Sequence, residues 1–424
     1  MKKVMIGSFL AIITLSLTAC GQPQIAALVQ SDNPRITSPA VSGTDTATLT
    51  KDNGTFAFEL YKHLNTGDDN LFFSPFSISQ ALAMTYAGAR GTTEQQMADT
   101  LHFTLSQDRL HPAFNWLDLE LAKRGEGTQG KDDGGFRLNI VNAIWGQQEY
   151  SFLPGFLDTL AEDYGAGMRV VDFIRQPEES RATINGWVSD QTEQRIKDLI
   201  PQGLITELTR LVLTNAIYFN AAWQYPFETE MTKDRPFYPL DGKEITVPMM
   251  KQTETFGYAE GDNYQAVELP YDGNGLSMIL LHPETGHFSE FEEQLDINRV
   301  TAIINSMERR SVALAMPKFE FESEFSLKKT LSAMGMPVAF SMDADLSGMT
   351  GNRELFIQDV VHKAFVSLDE AGTEAAAATA VMIALKAMPM ESIEMTIDSP
   401  FVFLIRDIKT GTILFLGRIM NPGE

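Results

Sequence analysis

A chain of 424 residues with 44% hydrophobic residues can bury a large core, as one big domain or two smaller ones, and is not disordered. Its formal charge of −23 and pI near 4.7 exclude nucleic acid and anionic membrane surfaces as electrostatic partners, because a polyanion is repelled, and favour a cationic partner. No basic patch of heparin-binding density is present, since the polar segment from Gln107 to Arg137 mixes Lys and Arg with Asp and Glu.

The amino terminus carries Lys2 and Lys3, then an apolar run from Val4 to Leu17 broken only by Gly7, Ser8, Thr14 and Ser16. That is a secretory signal, too short for a spanning helix. It ends Leu17-Thr18-Ala19-Cys20-Gly21, which resembles a bacterial lipoprotein signal: cleavage after residue 19, acylation of the Cys20 sulfur. Two or more acyl chains make a stable membrane anchor. The expectation is a signal peptide over 1–19 and an outward-facing lipoprotein of the cell envelope, or an extracellular protein. Cys20 is the one cysteine, so the mature body has no disulfide. Residues 20–50 are rich in Pro, Ser, Thr and Ala without periodicity, which predicts a flexible tether.

From Thr55 the pattern turns globular. Phe56, Leu60 and Leu64 predict a helix that stops at Asn65-Thr66-Gly67-Asp68-Asp69. The run Asn70 to Phe73 predicts a strand, with Ser74 as helix N-cap, Pro75 at the first helical position, and Ile78, Leu82, Met84 and Tyr86 buried. After Gly88-Ala89-Arg90-Gly91, Thr92 with Gln95, or Thr93 with Gln96, predicts a capping box. Strands are predicted over Leu138–Trp145, Leu211–Phe219, Leu276–Leu281, Ser311–Met316 and Leu355–Leu368, with helices over Ile184–Ile200 and Ser326–Met334. A closing hairpin, Phe401–Ile405 and Ile413–Leu416, turns at Lys409-Thr410-Gly411. Several strands are apolar on both alternations and belong to sheets covered on both faces. No repeat and no Gly/Pro linker divides the body, so the fold class is mixed α+β in one unit.

Between two apolar segments lies Asp369-Glu370-Ala371-Gly372-Thr373-Glu374, followed by Ala375, Ala376, Ala377, Ala378, Thr379 and Ala380. Alanine favours helix, but no charge follows Glu374 until Lys386, whereas a surface helix carries spaced charges on one face. The preferred reading is a mobile loop that can be taken up as an extra strand between two close strands, where only small side chains fit.

This stretch, with Asn70–Ser79, Ile184-Asn185-Gly186-Trp187-Val188, Leu213–Trp223, Asp359–Ala364 and Asp398–Ile405, resembles the serpin family from about Lys51 to Pro422. The resemblance implies a serpin domain over 51–424: three β-sheets, eight or nine helices and an exposed reactive-centre loop at about 370–395. It implies a serine protease inhibitor, acting as a monomer without cofactor or metal, whose loop forms the acyl-enzyme with a target protease and then inserts into the largest sheet. Glu370, Gly372, Thr373 and Ala375–Ala378 match the family's hinge, with Thr373 expected in the solvated loop and Glu370 paired with Lys318. Ser74, Ser77, Asn215 and His362 match the polar shutter, and Trp223 the point where the loop inserts.

Counting from Glu370 puts the reactive bond at Lys386-Ala387 and makes trypsin-like proteases the favoured targets. Leu385-Lys386 and Met390-Glu391 are competitors because the segment Lys386–Pro400 is some three residues longer than usual for the family. Met388-Pro389 is disfavoured by the ring after the cut. An enzyme is disfavoured: Gly275-Leu276-Ser277-Met278-Ile279 lacks the second glycine of a hydrolase elbow, and no metal or phosphate-loop motif occurs. A non-inhibitory serpin, acting as carrier, chaperone or surface protein, is the alternative; such members usually carry proline, charge or bulk in the hinge.

Overall fold

The computed structural model describes residues 26–128, 136–373 and 392–423. Cys20, Ala375–Ala378, Lys386 and Ala387 lie outside the described residues. In chain order the elements are β1 (Ala27–Val29), α1 (Gly43–Leu64), β2 (Leu71–Phe73), α2 (Pro75–Tyr86), α3 (Gly91–Leu101), α4 (Gln107–Ala122), β3 (Arg137–Gln147), α5 (Pro154–Tyr164) and β4 (Met168–Val171). There follow α6 (Pro177–Gln191), β5 (Leu211–Ala222), β6 (Lys233–Phe237), β7 (Ile245–Gly261), β8 (Tyr264–Pro270), β9 (Leu276–Pro283), α7 (Phe288–Glu293), α8 (Ile297–Ser306) and β10 (Glu308–Pro317). The last third holds β11 (Phe319–Ser326), α9 (Lys328–Met334), α10 (Ser347–Thr350), β12 (Asp359–Leu368), β13 (Gly372–Thr373), β14 (Ile393–Thr396), β15 (Phe401–Asp407) and β16 (Ile413–Ile419).

Seven strands form one sheet in the order β1-β4-β3-β5-β13-β12-β11. The other nine form one hydrogen-bonded network that the long β7 divides. Its first part pairs with β6 and β10, to which β14 adds in parallel, and its last part pairs with β8, which continues through β9, β15, β16 and β2. The strands therefore pair into two hydrogen-bonded sheets, the second of which runs through both parts of β7 where the resemblance implied two separate sheets. Ten α-helices occur among the described residues, several of them short, where eight or nine were expected. Strand β5 is buried from Leu211 to Ala221 because both faces of its sheet are covered. On one side α6 packs Ile184 and Val188 with Val141, Trp145, Val212 and Val361, and the main core fills the other.

Ser74 caps α2 as the sequence predicts, its hydroxyl accepting from the Ser77 amide at 3.2 Å. The capping box at α3 does not form: Arg90 occupies the cap without a side-chain bond, and the Thr93 hydroxyl accepts from the Asp345 amide instead. Helix α6 ends at Gln191, short of the predicted Ile200, where Glu193 and Gln194 take positive φ.

The expected flexible tether over 20–50 is corrected from Ala26 onward. Strand β1 adds to the edge of β4, pairing Ala27 with Val170, and α1 starts at Gly43 with the Ser42 side chain accepting from the Asp45 amide. Between them the Ser31 hydroxyl donates to Asp158 at 2.5 Å, the Asn33 amide to Glu162 at 2.8 Å, and Arg35 to Asn115 at 2.9 Å and Asp118 at 2.5 Å. Polar side chains rather than an apolar stripe hold this segment, so it shows no periodicity. Arg35→Ala should lower the denaturation midpoint by the equivalent of about 1 kcal/mol. An unchanged midpoint in urea unfolding would contradict a docked segment.

Candidate functional site

Strand β12 turns back at Asp369, whose carboxylate accepts from the Ala371 amide at 2.9 Å while its own amide donates to the Gly372 carbonyl at 3.0 Å. The returning residues are the two-residue strand β13, which lies between β12 and β5: Thr373 faces Leu368 on one side and Ala221 on the other, and Gly372 faces Ala222. A Cβ on Gly372 would approach the Ala221 carbonyl oxygen to 2.1 Å, so the close backbone approach requires glycine. Thr373 is only 2% exposed, which corrects the expectation of a solvated loop residue. Likewise both ends of the expected 370–395 loop belong to the folded body: Glu370 is buried and Ile393 begins β14.

The expected partners converge on this junction. Glu370 meets Lys318 at 2.8 Å and accepts from the Thr232 hydroxyl at 2.7 Å. Burial pushes its carboxyl up, but the bonds from Lys318 and Thr232 outweigh that and hold it below the usual carboxylate range. Trp223 binds the turn twice, donating its indole N–H to the Asp369 carbonyl at 3.0 Å and its amide to Ala371 at 2.9 Å. Its ring stacks on Tyr271 with centroids 4.6 Å apart, and the Tyr271 and Thr373 hydroxyls are 2.7 Å apart. Tyr271 and Thr232 escape sequence reasoning because their partners are more than 100 residues away along the chain.

Midway down the sheet, strand register sets Asn142 of β3, Asn215 of β5 and His362 of β12 side by side. The start of α2 covers them. The His362 Nε2 accepts from the Ser74 amide at 3.2 Å and its Nδ1–H donates to the Asn215 side-chain oxygen. Asn215 donates in turn to the Ser77 hydroxyl at 2.5 Å and to Asn142, and Asn142 donates to Gln80 at 2.9 Å. Ser74 also donates its hydroxyl to the Leu414 carbonyl at 2.6 Å. Thus Ser74, Ser77, Asn215 and His362 form one buried network, to which the sequence reading lacked Asn142 and Gln80. Asn142 was visible as a polar residue in an apolar strand; its neighbours across the sheet were not. Burial pushes the His362 imidazole down to about 3, so it stays neutral. Ser277 of the defective elbow motif is buried in β9 and donates to Glu268 at 2.7 Å.

Residues 51–422 match a family model described as Serpin (serine protease inhibitor). An uncharacterized serpin-like protein of Thermococcus kodakarensis is 45% identical over 372 residues, 87% of this chain and 84% of its own. Leukocyte elastase inhibitor of Sus scrofa is 40% identical over 385 residues, 88% of this chain and 99% of its own. Among solved structures, the thermophilic serpin tengpin in its native state superposes with a TM-score of 0.83 at 26% identity, over 94% of this chain and all of tengpin.

Tyr271→Phe removes one hydroxyl contact and should loosen β13 by about 1 kcal/mol, raising hydrogen exchange at the Thr373 amide roughly fivefold. Unchanged exchange would mean that this contact does not hold the junction. For His362 the folded pKa lies below the unfolded value, so the unfolded state binds the extra proton between about pH 6.5 and 3. Its contribution is complete above pH 6.5 and is lost as pH falls toward 3. His362→Gln should therefore flatten the fall in unfolding free energy between pH 6 and 4 by about 1.4 kcal/mol per pH unit. An identical pH slope in parent and variant would contradict a neutral buried imidazole.

Proposed function

The chain belongs to the serpin family, and we propose that it inhibits serine proteases by inserting the segment after Thr373 between β5 and β12 once a protease has attacked that segment. The observation that carries the reading is the register of β13. Thr373 faces both Ala221 and Leu368 in antiparallel sense, and continuing both ladders puts residue 382 opposite Val212 and Asp359, which already face each other. One strand therefore satisfies both neighbours without a slip.

The same register fits the side chains. Thr373 points inward to Tyr271, so Ala375, Ala377, Thr379, Val381 and Ile383 point inward too, while Glu374, Ala376, Ala378, Ala380 and Met382 point outward. Thr379 falls between Asn215 and His362, whose mutual hydrogen bond the new strand separates. A hydroxyl there can offer each of them a partner, and an inward alanine cannot. No proline, charge or bulky group enters the inward set before Val381, which supports inhibition over a carrier or chaperone role.

The covalent chemistry belongs to the protease. Its serine oxygen adds to the Lys386 carbonyl, the Lys386-Ala387 bond breaks, the serine proton passes to the departing Ala387 amine, and Lys386 remains as an ester on the enzyme. Lys386 is the one basic residue between Lys363 and Arg406, so a specificity pocket ending in a carboxylate selects it. Incubation with trypsin should yield an adduct that survives denaturation and a released peptide beginning at Ala387. Lys386→Ala should abolish that adduct. Hydrolysis without adduct would overturn the trap, and a peptide beginning at Lys386 or Glu391 would overturn the assigned bond.

A further inference from the structure

The docked amino-terminal segment replaces a long tether with a short one, and its position has a direction. Ala27 pairs with Val170, Val170 with Gly146, and Gly146 with Leu211, so β1 leaves the seven-stranded sheet at the Leu211 end of β5. The hinge meets the opposite end, where Gly372 faces Ala222. Leu211 and Ala222 bound the twelve residues of β5, a separation of about 36 Å along the strand. Only five residues lie between Cys20 and Ala26, and the six Cα steps that join them reach roughly 20 Å at full extension. An anchor at Cys20 therefore holds the Leu211 end of the sheet beside the lipid and leaves the hinge end displayed toward solution.

Insertion reverses the position of the reactive bond. The register from Thr373 opposite Ala221 puts Ile383 opposite Leu211, and Lys386 beyond that end. We propose that the acylated protein takes soluble proteases at its membrane-distal pole and, on trapping them, carries them to its membrane-facing pole, so that the covalent complex lies against the lipid surface. This rests on the inhibitory reading above and on acylation of Cys20. It follows from where two described segments, β1 and β13, join one sheet, and it names the partner: a protease arriving from solution rather than one embedded beside the inhibitor.

The test uses the full-length acylated protein in vesicles whose headgroups carry a fluorescence acceptor. Because Cys20 is the one cysteine and its thiol is acylated, a cysteine introduced by Leu208→Cys or Met231→Cys takes a donor dye alone. Leu208 is 74% exposed and three residues from Leu211, whereas Met231 is 43% exposed and adjoins Thr232, the partner of Glu370. The dye at 208 should be quenched at least twofold more than the dye at 231. Donor-labelled trypsin should be quenched at least twofold more in the covalent complex than when merely mixed with vesicles bearing the Lys386→Ala variant. Equal quenching at 208 and 231, or trypsin in the complex no closer to lipid than in the control, overturns the proposal. The Cys20→Ser protein in solution separates the premises. If it makes no adduct, the inhibitory reading falls and this proposal with it; if it makes the adduct while the anchored complex stays distal, only this proposal falls. Failure of the parent protein to float with vesicles overturns it through the anchor.

Discussion

Six residue pairs, Asp359–Val212 to Ala364–Ile217, hold β12 against β5 in a parallel contact at the centre of the seven-stranded sheet. Parallel pairing is slightly weaker per residue than antiparallel, and this ladder ends three residues short of β13. The sheet is thus closed at its lower end, wedged open by two residues at its upper end, and bordered on both sides by strands with their own partners: β3 pairs with β5 from Arg137 to Gly146, and β11 pairs with β12 along its whole length. A third strand entering the wedge trades one parallel ladder for two antiparallel ones. The glycine at 372, the small residues after it and the polar row beneath are all consistent with the proposed exchange.

The polar row sets the terms of the exchange. Asn142, Asn215 and His362 are buried or nearly so, and a buried polar group left without a partner costs about 1–3 kcal/mol. While β5 and β12 touch, each group has its bond, which makes the row a lock on the closed sheet. Under the proposed insertion the His362–Asn215 bond, six positions beyond Thr373 on the register, must break before the new strand can pass that row. At the upper end the opposing preparation is already complete: the Glu370–Lys318 pair, the Trp223 indole and the Tyr271 hydroxyl hold the turn and the first inserted residue in place. In the proposed insertion, β13 would serve as the nucleus and the polar row as the barrier to propagation.

Much of this was legible in the sequence because it is written in residue types. Glycine at 372, the run of alanines, the serine–proline start of α2 and the lone histidine in an apolar strand each state a local constraint. What the sequence could not convey is register. Thr373 reads as a loop residue until its neighbours Leu368 and Ala221 are known, and Asn142 reads as a blemish in a strand until it is aligned with Asn215. The amino-terminal segment hides its structure for a related reason: Ser31, Asn33 and Arg35 dock through polar bonds to Asp158, Glu162, Asn115 and Asp118, and such bonds leave no periodic trace.

If the segment after Thr373 inserts as proposed, completing the sheet stabilises the protein, since it adds a strand with ladder partners on both sides and would bury Val381 and Ile383. The melting temperature of the intact protein against that of the protein cut once after Thr373, with both fragments retained, measures this directly. The account predicts a sharp rise on cleavage, where an ordinary nicked protein loses stability. Equal or lower melting of the cleaved form would contradict the claim that the sheet is built to receive the segment.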